Sequence, residues 1–96
     1  ASEYKDISKA ILHHHERYDG NGYPSGMKWD EIPLMSRIIS LAESFDTIHQ
    51  RMNGNPKSVE LVIQELRKNK LTQFDPFITE IFIKDVVEIL YTNKND

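Results

Sequence analysis

The sequence has no cysteine in its 96 residues. Disulfides and thiolate metal sites are therefore excluded, and any metal must be held by His, Asp or Glu. It lacks a basic excess: 12 Lys and Arg stand against 15 Asp and Glu, a net charge of -3. Nothing there neutralises a long phosphate backbone, so long nucleic acids are not expected partners. No apolar run approaches bilayer-spanning length, so insertion of this segment into a membrane is not expected. The opening Ala1–Asp6 stretch is polar and lacks the apolar core of a signal peptide. A cytoplasmic location is expected. No segment alternates with period two, so no sheet is expected.

What remains is an ordinary globular mixture, 39% apolar and 28% charged. Its apolar residues follow a helical period. Leu34, Met35, Ile38, Leu41, Ala42, Phe45, Ile48 and Met52 form one stripe, after Pro33 and before Gly54 and Pro56. A second helix opens at Asn55-Pro56, with Val59, Val62, Ile63 and Leu66 on one face. A third opens at Asp75-Pro76, with Ile78, Ile81, Phe82, Val86, Ile89 and Leu90 as its stripe. Near the start, Ile7, Ala10, Ile11 and His14 share a helical spacing. The expected class is all-α, with four main helices at about 4–15, 34–53, 56–69 and 76–91. A short helical turn fits 27–32. Residues 19–26 hold three Gly and one Pro and read as a loop.

Three adjacent histidines, His13 to His15, meet Glu16 just before that loop. Imidazole is a common ligand for Zn, Fe, Mn and Ni. On an unbroken helix, neighbouring rings point about 100° apart, so shared ligation requires the helix to end near them. Solvated surface histidines are the alternative. Glu43 and Asp46 lie three apart on the long helix, on a face that includes Ile39 and is expected to be partly buried. A solvated polar face is the commoner outcome for such a pair. Trp29 reads as a core or loop anchor, and His49 as exposed.

These residues resemble a known family. His14-His15-Glu16 followed by Asp19-Gly20-Asn21-Gly22-Tyr23-Pro24 is similar to the signature of bacterial HD-GYP domains. The likeness continues through Ile32-Pro33, Arg37-Ile38-Ile39, Phe45-Asp46 and Gln73-Phe74-Asp75-Pro76. The resemblance implies an all-helical, metal-dependent phosphohydrolase that cleaves cyclic di-GMP, with iron or manganese as the metal. It implies that His14 and His15 are metal ligands. Glu43 stands where the family has a ligating aspartate. Tyr23 takes the place of a nucleotide-contacting tyrosine, and Asp19, Gly20, Gly22 and Pro24 complete a loop linked to ligand or partner recognition. Arg51, with a one-residue shift in register, stands for a phosphate-binding arginine.

The family's His-Asp pair lies N-terminal to these motifs and is absent from this sequence. The chain is therefore expected to be the C-terminal part of an HD-GYP domain, without activity alone. Leu34, Leu41 and Ile48 would then lack some neighbours, and uncovered apolar faces would give a homodimer or a loosely folded monomer. The alternative is a degenerate, non-catalytic HD-GYP module that acts by protein contact.

Overall fold

The computed structural model describes residues 2–52, 55 and 58–94. Helix α1 spans Ser2–Leu12, α2 Leu34–Arg51, α3 Val59–Lys68, α4 Pro76–Phe82 and α5 Glu88–Lys94. A π-helical turn, Ile83–Val87, joins α4 to α5 in one continuous rod. A 3-10 turn occupies Trp29–Glu31, within the stretch expected to hold a helical turn. No strand occurs among the described residues; Lys70 and Phe74 form one isolated bridge. The all-α class with four main helices is the observed one, counting α4 to α5 as a single rod.

The core lies between α2, α3 and the α4–α5 rod. Leu41, Ile48, Val62, Ile63, Leu66, Phe74, Ile83, Val87 and Tyr91 are buried there. Leu41 and Ile48 thus have their neighbours, contrary to expectation, whereas Leu34 is exposed. The face of the last rod also differs from its predicted stripe. Thr79, Ile83, Val87 and Tyr91 point inward, while Ile81, Val86, Ile89 and Leu90 are exposed. Steps of four drift about 40° each on a regular α-helix. The π turn, with its wider i→i+5 winding, offsets that drift and keeps the four residues on one face.

Helix ends follow capping chemistry. The Asp75 carboxylate accepts from the N–H groups of Phe77 (2.8 Å) and Ile78 (3.1 Å), with Pro76 opening α4. Its second oxygen accepts from Arg37 Nη1 at 2.8 Å, and both side chains are largely buried. Arg37 Nε also donates to the Ile32 carbonyl at 3.0 Å. The α3 helix begins at Val59, after Ser58; the predicted opening at Pro56 and the stops at Asn53 and Gly54 lie outside the described residues. The long helix ends at Arg51, with Met52 as its cap.

Helix α1 ends at Leu12, three residues before its predicted end, so His13 to His15 occupy a turn. It packs on α2 through buried Ala10, whose carbonyl accepts from Ser36 Oγ at 2.7 Å. Tyr4, Ile7, Ile11 and Leu12 remain exposed.

Candidate functional site

The turn that ends α1 separates the three histidines. His13 is buried and donates from Nδ1 to Glu16 at 3.0 Å. Glu16 is itself buried, and its two oxygens accept from the N–H groups of Ser25 (2.8 Å) and Met27 (3.0 Å). Burial alone raises the pKa of this carboxyl. The bonds from His13 and from the Ser25, Met27 and Gly26 N–H groups outweigh that effect and hold it below its ordinary 4.5. Glu16 is therefore the clamp that closes the 19–26 loop onto the end of α1.

A depressed carboxyl contributes stability above its unfolded value and loses that contribution as pH falls through the lowered folded value. Loop amides of Ser25 and Met27, followed by NMR, should keep their hydrogen-bonded shifts through the ordinary carboxyl range and lose them only on further acidification. Glu16→Gln should remove this acid step and lower stability by about 2 kcal/mol at neutral pH.

The loop is also tied to the far side of the fold. Tyr18 N–H donates to the Gln73 carbonyl (3.1 Å) and Asp19 N–H to the Thr72 carbonyl (2.8 Å). Hydrogen bonds from Arg17, opposed by burial and helped by Asn21, hold the Asp19 carboxyl below its ordinary range. Gly20 has φ +87°, a left-handed conformation that suits glycine. At Gly22 the constraint is space. A Cβ there would lie 2.4 Å from Arg17 N, 2.5 Å from the His15 carbonyl oxygen and 2.6 Å from Glu16 Cα. The Tyr23-Pro24 peptide is cis.

Against this frame, His14 faces α2. Its Nε2 lies 3.5 Å from Glu43 Oε2, while its Nδ1 bonds the Ile11 carbonyl. That second bond places a proton on Nδ1 and turns Nε2 toward Glu43. The His15 ring lies 3.9 Å from that of His14 and stacks on Tyr23 at 4.9 Å and 18°. Glu43 is exposed rather than partly buried. Asp46 accepts from Gln50 Nε2 at 3.0 Å on the same solvated face.

Glu43, Thr47 and Arg51 follow at intervals of four along α2, and all line a cleft of about 270 Å³ with Ser44, Asn69 and Gln73. Arg51 lies about 12 Å along the helix from Glu43, apart from the histidines. Ser44 and Thr47 were not singled out in the sequence, and Gln73 only within the Gln73-Phe74-Asp75-Pro76 likeness. The four-residue spacing from Glu43 through Thr47 to Arg51 was the available signal. The structure thus brings together His14, His15, Tyr23 and Glu43, and leaves Asp19, Gly20, Gly22 and Pro24 to shape the loop.

The donor set suits a divalent metal: imidazole nitrogen and carboxylate oxygen are ligands that first-row metals share. His14 and Glu43 already face one another at ligand-to-ligand distance. No group of three or more potential ligands converges among the described residues. The pair therefore fits as part of a metal site.

The all-helical fold and this histidine turn define a class. The HD domain family pattern matches residues 1–78, and the chain belongs to that family. It is 39% identical over 92 residues, 93% of the chain, to a cyclic di-GMP phosphodiesterase of Thermotoga maritima. It is 35% identical over 72 residues, 74% of the chain, to the 3'3'-cGAMP-specific phosphodiesterase 2 of Vibrio cholerae. Among solved structures, a cyclic GMP-AMP-specific phosphodiesterase of Vibrio cholerae superposes with a TM-score of 0.74 at 32% identity, covering 88% of this chain. The chain spans 25% of the Thermotoga protein, 14% of the Vibrio phosphodiesterase 2 and 19% of the solved chain.

Proposed function

We propose that residues 1–96 are the C-terminal part of an HD-GYP domain from a bacterial, cytoplasmic phosphodiesterase that hydrolyses cyclic di-GMP. The observation that carries this reading is the facing of His14 Nε2 and Glu43 Oε2 at 3.5 Å, with His15 beside them. In it, His14, His15 and Glu43 hold metal, iron or manganese by family resemblance. The chemistry such metals supply when bound is acidification of water and polarisation of phosphate oxygens.

The chain's own residues do the rest. His14 is oriented for ligation by the Ile11 carbonyl, and the Glu16 clamp fixes the loop that carries Tyr23. Tyr23, stacked on His15, presents an exposed aromatic face to a nucleobase. Arg51 adds a cation further along the Glu43 cleft for a phosphate. Asp19, Gly20, Gly22 and Pro24 shape the loop for ligand or partner. The exposed apolar residues of α1, with Ile81, Val86, Ile89 and Leu90 of the α4–α5 rod, are the faces that further helices of the domain, or a second copy in a homodimer, would cover.

Two facing ligands do not make a two-metal site. The chain alone is therefore proposed to be inactive. In the intact gene product with Mn or Fe supplied, hydrolysis of cyclic di-GMP is expected. Glu43→Gln there should lower kcat/KM by about 100-fold, the scale of losing a site's charge stabilisation. No hydrolysis in the intact product would favour the non-catalytic reading.

A further inference from the structure

On the side of the fold formed by Tyr18, Trp29, Leu71 and Phe77 lies a second cleft, of about 510 Å³. Trp29 is 59% exposed, Leu71 65% and Phe77 79%. Trp29, expected as an anchor, is thus turned to solvent. Trp29 (φ 52°) and Leu71 (φ 71°) are also the non-glycine residues with positive φ among the described residues. A bulky side chain in that region carries a backbone cost. In this cleft strained backbone and solvated apolar surface therefore coincide.

The cleft is preorganised. Trp29 N–H donates to the Tyr18 carbonyl at 3.0 Å, Tyr18 N–H to Gln73 at 3.1 Å, and Leu71 N–H to Phe74 at 2.9 Å. Three separate segments are thereby held around one opening. Its charges are unbalanced. Arg37 and Asp75 in its wall neutralise each other at 2.8 Å, whereas the exposed Asp30 carboxylate has no ion-pair partner among the described residues. Aromatic faces beside an unpaired carboxylate attract a cation that carries apolar surface. An arginine side chain has that chemistry: a planar cation on an apolar stem, able to stack on Trp and to bond a carboxylate.

We propose that this cleft is a docking site for a protein partner that inserts an arginine, flanked by apolar residues, between Trp29 and Phe77 and onto Asp30. This surface is separate from the His14–Glu43 pair and does not depend on the phosphodiesterase reading.

Trp29 is the chain's single tryptophan and serves as the reporter. The probe is the peptide acetyl-Leu-Arg-Leu-amide, titrated into the chain and followed by Trp29 fluorescence. A saturable change is expected. Replacing the peptide's arginine by glutamine, or making Asp30→Asn in the chain, should each weaken it about fivefold or more. Phe77→Ala should weaken it with an unchanged far-UV spectrum. No saturable change at millimolar peptide, or equal binding of the glutamine peptide, would overturn the proposal. So would sedimentation in which the chain self-associates and Phe77→Ala abolishes it, because a second copy would then own the cleft.

Discussion

Asp75→Ala is expected to lower the unfolding free energy by about 3–5 kcal/mol. Asp75 has two duties that the substitution removes together. It caps α4 through the Phe77 and Ile78 N–H groups, and it neutralises Arg37 from a largely buried position. Without it, the Arg37 cation keeps its bond to the Ile32 carbonyl and loses its counter-charge. Loss of the cap alone costs about 1 kcal/mol. The remainder comes from leaving a charge uncompensated where water reaches it poorly. For a domain whose whole stability is about 5–15 kcal/mol, that is a large share. The double variant Asp75→Ser with Arg37→Met restores a cap and removes both charges, and should recover most of the loss. Urea unfolding of the three proteins gives the comparison; a loss under about 1 kcal/mol for Asp75→Ala would contradict the buried pair.

Gly22→Ala is the second large effect. The added methyl would sit 2.4–2.6 Å from backbone atoms of Arg17, His15 and Glu16. Backbone cannot rotate aside as a side chain does, so the loop must move. Forced overpacking costs about 1–3 kcal/mol, and this contact belongs at the upper end. The consequence reaches the site, because Tyr23 N–H bonds the His15 carbonyl at 3.3 Å and its ring stacks on His15. A thermal melt should fall by about 10 °C or more. NMR shifts of Tyr23 and His15 should move together. Unchanged stability with unchanged Tyr23 shifts would mean that the loop does not approach the His15–Arg17 backbone so closely.

How much was legible before the structure depended on how local the cause was. That Leu41 and Ile48 share the apolar stripe of α2 was readable from its helical period; that both are buried within this chain was not. The Asp75 cap was readable because an N-cap and a following proline are adjacent in sequence. The buried face of the last rod was not readable. Ile81, Val86, Ile89 and Leu90 are as apolar as Ile83 and Val87, and only the π turn decides which set faces inward. The end of α1 was set too late because His13 to His15 do not themselves break a helix. The turn is closed by Glu16 reaching Ser25 and Met27, contacts nine and eleven residues away. His49 was expected to be exposed; it is half-buried, stacks on Phe45 and bonds the Tyr91 hydroxyl, 42 residues away.

The site divides in the same way. The histidine cluster announced itself by composition. Its partner Glu43 is 29 residues from His14, and no periodicity joins them; the family resemblance singled it out, and folding sets the two 3.5 Å apart. Trp29 was misjudged because substantial burial of a tryptophan is the ordinary outcome, whereas here it sits at a positive φ and is exposed.

The central claim is that His14, His15 and Glu43 are metal ligands. Its most direct test is the metal content of the chain purified without a histidine tag, after exposure to Mn and Fe. Wild type should retain metal, and Glu43→Gln should retain less. The His14→Ala/His15→Ala double variant should retain none above background. Equal metal in the wild type and the double variant would contradict the assignment.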